Sequence, residues 1–197
     1  MFPLVRQPTS KSSRAMTTAL IPAAGKSSRL GQPKQLVKRD GETLVHRAAR
    51  IALEAGCKRV LVIEGAVELR EALADLPVER VFCAEWARGP GASLSAGARA
   101  AGDVALMVLL ADQYAVTATH LRALLAAPGE VAAARYAGQL GVPARFSAPY
   151  AAVLRELPDS GGAKGWLRTH ASLVTPVDLP DAELDLDTPD HLINFQN

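Results

Sequence analysis

A mostly parallel, doubly wound α/β sheet is the fold class the sequence predicts, and three observations carry it. Short apolar runs alternate with amphipathic stretches of about ten to fifteen residues, the pattern of βαβ units. Residues 104–110 (VALMVLL) show no polar alternation, as expected of a central strand covered on both faces. Ala, Leu and Val dominate while aromatics make up 5% of the chain, so the core should be aliphatic.

Each element follows from local pattern. Residues 18–23 form an apolar run that ends in a Gly-containing loop, a first strand. Residues 43–55 place Leu44, Val45, Ala48, Ile51, Ala52 and Ala55 at helical spacing, and Gly56 closes that helix. Residues 59–63 (RVLVI) read as a buried strand, 67–76 as a helix ended by Pro77, and 78–83 as a third strand. A Gly-Pro-Gly loop leads into a helix over 93–101. After the central strand, 117–127 is a helix with Thr117 or Thr119 near its N-cap. Strands are expected at 130–135 and 139–146 around Ala137-Gly138, and short helices at 149–157 and 163–170. Pro176 makes 173–179 an edge strand. Thr188 and Pro189 open a last helix over 189–195.

The 197 residues suit one domain with a sizeable core. Residues 1–17 carry Pro3, Pro8 and several Ser and Lys but no apolar stretch of a signal peptide, so they read as a disordered leader before a single domain at 18–197. A net charge of +2, from 22 basic and 20 acidic residues, gives no basic stripe for nucleic acid. No run approaches the ~20 apolar residues that span a bilayer. Cys57 and Cys83 belong to no C-x-x-C pair and read as reduced, buried thiols of a cytoplasmic protein. The histidines His46, His120, His170 and His191 lack metal-ligand spacing and read as surface residues.

In a parallel sheet ligands bind beyond the carboxyl ends of the strands, which directs attention to the residues just after each one. After the first strand, Ala23-Ala24-Gly25 lets backbone approach a ligand closely, and Lys26, Arg29 and Lys34 add three cations. Successive backbone N–H groups and cations of this kind suit phosphate, although a solvated βα loop would look the same. The segment matches neither the P-loop pattern nor the dinucleotide fingerprint. Asp112 follows the central strand, where a carboxylate can hold Mg²⁺ together with phosphate oxygens or cap a turn. Asp185 and Asp187 share a face of an extended stretch. The loop 89–93 can approach a base or sugar or simply cap its helix through Ser93.

Taken together, these segments resemble the MobA-like nucleotidyltransferases, most closely the molybdenum cofactor cytidylyltransferases, from Ala19 to about Phe195. The family's L-A-A-G-x-S-x-R-x-G signature stands here as Ile21-Pro22-Ala23-Ala24-Gly25-Lys26-Ser27-Ser28-Arg29-Leu30-Gly31, followed by Lys34. Its Asp-Gln-Pro motif appears as Asp112-Gln113-Tyr114, its G-x-P as Gly141-Val142-Pro143, and its D-x-D-T-P-x-D-L in full from Asp185 to Leu192. The resemblance implies a Rossmann-like sheet of the nucleotide-diphospho-sugar transferase type.

It also implies roles. Arg29 and Lys34 would be catalytic, neutralising the triphosphate. Ala23, Ala24, Gly25, Lys34, Gly91, Ser93 and Asp112 would bind nucleotide. Gly162, Ala163 and Lys164 would meet the acceptor, and Asp112 with Asp187 would hold Mg²⁺. The Ala-Ala-Gly form of the first loop favours CTP over GTP. The implied acceptor is the phosphorylated pterin molybdopterin, with a molybdoenzyme as a downstream partner. Tyr114 in place of Pro, and Ser160 in place of Asp, put the acceptor in question. A sugar or polyol phosphate acceptor is the alternative within the fold, and a non-catalytic cofactor-delivery protein is the alternative outside enzymology.

Overall fold

A computed structural model describes residues 16–27 and 30–186 of the chain. Residues 1–15 of the expected leader, Arg29, Asp187, His191 and the helix expected at 189–195 lie outside the described residues, while Thr17, expected to end the leader, is the buried first residue of a strand.

Among the described residues seven strands form one sheet in the order β5-β4-β1-β6-β8-β7-β9. They are β1 (Thr17–Pro22), β4 (Arg59–Glu64), β5 (Glu79–Phe82), β6 (Ala105–Val108), β7 (Val131–Tyr136), β8 (Gln139–Phe146) and β9 (Val174–Asp178). Only β8 runs against the others. A small hairpin pairs β2 (Lys38–Arg39) with β3 (Glu42–Thr43). The helices are α1 (Leu44–Ala55), α2 (Pro90–Ala101), α3 (Ala118–Ala126), α4 (Ala148–Ala151) and α5 (Ala163–Thr169).

Both faces of the sheet are covered, which explains the continuous apolar runs. Along β1, Ala19 and Ile21 join one cluster with α1 and α3, whereas Leu20 joins the other with α2 and α5. Each such buried Leu or Ile contributes about 1.5–3 kcal/mol relative to exposure. The caps behave as their residue types dictate. Thr43 Oγ1 accepts from His46 N, Gly56 ends α1 in the left-handed region at φ 101°, and Thr117 forms a capping box with His120. Among the described residues no helix is long and apolar enough to cross a membrane.

Three expectations need correction. The helix expected at 67–76 reduces to a single 3-10 turn, Glu71–Leu73. Two hydrogen bonds divert the chain ahead of it: Ala66 N donates to Ala24 O, and Leu69 N to the Glu64 carboxylate. The segment expected as a helix over 149–157 is one turn of α4 continued by a 3-10 stretch, Ala152–Glu156. His46 is not a surface histidine, since its ring lies between Glu42 (Nδ1···Oε1 2.6 Å) and Asp75 (Nε2···Oδ2 3.1 Å) with 19% of the side chain exposed.

Candidate active site

The loop leaving β1 sits where the parallel topology directs a ligand, beyond the carboxyl ends of β1 and β6. Its shape is set by Gln35, a side chain only 2% exposed. Gln35 Nε2 donates to both Ala23 O and Gly25 O at 2.9 Å, and its Oε1 accepts from Ser27 Oγ at 3.2 Å. Ser27 Oγ in turn accepts from Lys34 N at 3.0 Å. On the other side, Ala23 N donates to Ile63 O, so the loop is tied to β4 as well. Two of the loop's carbonyls are thereby occupied from within the protein.

Beside this loop lies a cleft of about 800 Å³, within the usual ligand-pocket range of about 300–1,000 Å³. One wall is Ala23, Ala24, Gly25, Ser27 and Lys34. A second is Trp86, Gly89, Pro90 and Ser93 at the start of α2, whose positive dipole end favours anions. The floor is Asp112 beyond β6, with Leu186. Lys34 Nζ is ion-paired with Asp112 Oδ2 across the cleft. Asp112 is 5% exposed, so its charge sits in a low-dielectric wall where a cation partner matters most.

The sequence-derived residues therefore divide. Ala23, Ala24, Gly25, Lys34, Ser93 and Asp112 share the cleft. Gly91 is not on its wall. A Cβ there would stand 2.0 Å from Pro158 O and 2.6 Å from Gly161 O, so this glycine serves close packing of α2 against the 158–161 turn. Gly91 N donates to Asp159 O at 2.9 Å, and Arg88 pairs with Asp159 at 2.6 Å. Gly162 is the N-cap of α5, and Ala163 is a core residue at 3% exposure; neither side of that pair lines the cleft. Lys164 also lies off the cleft wall, with Nζ 5.5 Å from the centre of the Tyr136 ring.

Gln113 joins three segments. It is buried, and its Nε2 donates to Val142 O at 2.8 Å and to Ala182 O at 2.7 Å. A register shift in the β7–β8 pairing at Ala133/Ala134 frees Val142 O for this contact. Among the described residues Gln113 Oε1 has no hydrogen-bond partner.

Two cleft residues escape sequence reasoning. Gln35 follows Lys34 in an ordinary-looking PKQL stretch and gives no local signal. Trp86 could have been found, since a Trp among Glu85 and Arg88 just after a strand is unusual. Its ring faces Lys26 Nζ at 5.3 Å from the centroid and packs over Gly65, where a Cβ would come within 2.6 Å. Asp112 is the one His, Cys, Asp or Glu on the cleft wall among the described residues. No group of three such residues able to hold a metal occurs among them. One carboxylate with room for phosphate oxygens is nevertheless what Mg²⁺ commonly uses, and the Lys34 ammonium already occupies a cation position against Asp112.

The match to known proteins agrees with this geometry. The model of the MobA-like NTP transferase domain fits residues 19–175. The chain belongs to the MobA-like NTP transferase family. It is 30% identical over 160 residues to the purine catabolism protein PucB of Bacillus subtilis (strain 168), covering 75% of this chain and 78% of that one. Among solved structures, a nucleotidyl transferase from Methanothermobacter thermautotrophicus superposes with a TM-score of 0.76 at 25% identity, over 92% of this chain and 96% of that one. Rv0371c from Mycobacterium tuberculosis H37Rv gives 0.77 at 26% identity, over 92% and 98%. The same mycobacterial protein has been solved in complex with manganese, with a TM-score of 0.71 at 25% identity over 91% and 97%. This MobA-like chain is thus a nucleotidyltransferase on a mostly parallel sheet, as its motifs imply.

Proposed function

We propose that this protein transfers CMP from CTP to the terminal phosphate of molybdopterin in a Mg²⁺-dependent reaction, releasing pyrophosphate. The observation that carries the reading is the Lys34–Asp112 pair that spans the cleft beside the loop at 23–25. A pure carrier of a cofactor has little use for a cation and a buried carboxylate poised over a phosphate-sized loop. The Ala-Ala-Gly form of that loop supports CTP, and the resemblance to molybdenum cofactor cytidylyltransferases supports the pterin.

In this reading an oxygen of the acceptor phosphate attacks the α-phosphorus of CTP. A new P–O bond forms, the bond from the α-phosphorus to its bridging oxygen breaks, and pyrophosphate departs with the electron pair. A phosphate nucleophile is already ionised near neutral pH, so no general base is required. Lys34 leaves Asp112 for the triphosphate, and with Arg29 it neutralises charge on the phosphoryl oxygens. Ser93 and the first turn of α2 orient the nucleotide. Asp112 and Asp187 would hold Mg²⁺, which when bound supplies further charge neutralisation on those oxygens. The manganese complex of the mycobacterial relative supports a divalent cation here. Cys57 and Cys83, free and buried, support a reducing compartment such as the cytoplasm.

Calorimetry with CTP, GTP, ATP and UTP in the presence of Mg²⁺ tests the nucleotide. Saturable binding of CTP at least tenfold tighter than the others is expected, and equal binding of all four would refute the base assignment. Pyrophosphate release with molybdopterin against a panel of sugar and polyol phosphates tests the acceptor.

A further inference from the structure

The sheet edge that carries the cleft continues past Asp112 to a second cluster. β7 runs parallel to β6, so Tyr136, its last residue, emerges at the same edge as Asp112. Between them lies the start of β8. The Tyr136 hydroxyl stands directly over Gly141, where a Cβ would lie 2.2 Å from it; any side chain at 141 would evict the ring. Lys164 caps the ring face at 5.5 Å. Lys164 and Arg168, four residues apart on α5, share a helix face, and Arg168 bonds Gln139 at the start of β8. Asp112, Asp185, Glu183 and Arg168 all lie close enough to act electrostatically on the hydroxyl.

The hydroxyl therefore stands between two unlike surroundings. On one side are the cations of α5. On the other is the carboxylate edge at Asp112, where the nucleotide's reacting phosphate would be. Among the described residues it makes no hydrogen bond, although the ring is half-buried and fixed. Burial and the Asp185 charge push the phenol above its ordinary pKa, so it keeps its proton and serves as a donor. A phenolic donor with Lys164 over its ring and Arg168 on the same helix face suits an anion arriving from the α5 side.

We propose that Tyr136 is an acceptor-recognition residue, whose hydroxyl donates a hydrogen bond to the terminal phosphate monoester of the acceptor while Lys164 supplies its counter-charge. The inference rests on the nucleotidyl-transfer reading and assigns the side from which the nucleophile enters. It also accounts for Gly141, which leaves the space the ring occupies.

The test separates this inference from the reading beneath it. Wild-type protein and Y136F are titrated with CTP and Mg²⁺ by calorimetry, and the CTP dissociation constants should agree within about twofold. Failure of the wild type to bind CTP would count against the nucleotidyl-transfer reading alone. Independently, full-length protein with ¹³C-labelled tyrosine is titrated with inorganic phosphate, with and without CTP, the Tyr136 ring signal being assigned by its loss in Y136F. A saturable shift of that signal, weakened at least fivefold in K164Q, is the expected result. A Tyr136 signal that ignores phosphate in both states overturns the proposal. In turnover assays with molybdopterin, Y136F should raise the acceptor KM about tenfold, the scale of one hydrogen bond to a charged group, with kcat changed far less. An unchanged acceptor KM would overturn it equally.

Discussion

The two halves of the active-site edge are built differently. On the half proposed to bind the nucleotide, β5, β4, β1 and β6 run parallel, and the loop between β1 and the hairpin is pinned by Gln35, Ser27 and the ties to β4. On the half proposed to receive the acceptor, β8 is reversed, the β7–β8 pairing shifts register, and edge strand β9 carries Pro176. Residues 162–164 there supply one cap, one core residue and one cation. The contrast has a physical reason. A triphosphate presents concentrated charge, and dipoles fixed in advance stabilise developing charge without reorganising during the reaction. An acceptor needs only one phosphate brought in line, which a few side chains can do. Under the proposed function, rigid wiring belongs to the common substrate, and looser wiring to the part that must distinguish acceptors.

The sharpest break in the comparison is at Asp112 and Lys34. D112A or K34A should lower turnover about 10²–10³-fold with far-UV circular dichroism unchanged, as for loss of one electrostatic contact at a reacting phosphoryl group. Near-normal pyrophosphate release by either variant would remove the nucleotide half's claim to the chemistry.

Next in size is Gln35, which holds the loop without facing the reaction. Q35L removes two donated hydrogen bonds and one accepted, each worth about 1 kcal/mol. CTP affinity should fall about tenfold or more, while the acceptor KM measured at saturating CTP stays near wild type. A variant that loses stability but binds CTP normally would show that the loop does not need its internal staple. Between the halves, Gly91 offers a smaller effect. G91A forces a methyl against Pro158 O, and overpacking of this kind costs about 1–3 kcal/mol. Thermal denaturation should register that loss, and G65A, against the Trp86 ring, provides a comparison confined to the nucleotide half.

How much of this was legible in the sequence follows the same division. β1, β4 and β6 could be read because burial on both faces leaves continuous apolar runs, and the Ala23–Gly25 loop and Asp112 fall just beyond them. The spacing of Val67, Leu69, Leu73 and Leu76 suggests a helix, but the tie from Ala66 to Ala24 is tertiary and no local pattern announces it. Gly91 shows the limit of local pattern: a glycine in the first turn of a helix looks alike whether it admits a ligand or a neighbouring turn, and here the turn that packs against it lies 67 residues later. Gln35 and Tyr136 give no local signal for a related reason: Gln35 folds back across its own connection onto Ala23, Gly25 and Ser27, and Tyr136 meets Gly141 and Lys164 only once the hairpin and α5 are in place.

The smallest expected effect lies on the outer support of the nucleotide half, where α1 meets the β2–β3 hairpin and the 66–76 segment. Both ring nitrogens of His46 face carboxylate oxygens, and only the doubly protonated ring can donate to both Glu42 and Asp75. Burial alone would push the imidazole down, but the hydrogen bonds to Glu42 and Asp75 outweigh it and its pKa lies above the ordinary value of 6.5. A raised folded-state pKa contributes stability that is full below the unfolded value and is lost as pH rises through the folded one. Glu42, held down to about 2 chiefly by its hydrogen bond to Arg50, works in the opposite sense: its contribution is full above the ordinary 4.5 and is lost as pH falls toward 2. The stability gap between wild type and H46Q should therefore be widest at about pH 5–6 and shrink steadily above about pH 7. Because the pair with Asp75 is solvent-facing, the gap should be about 2 °C in Tm or less. A gap independent of pH would mean that His46 holds the hairpin by packing alone, and that the support of the nucleotide half is as indifferent to charge as the sheet beneath it.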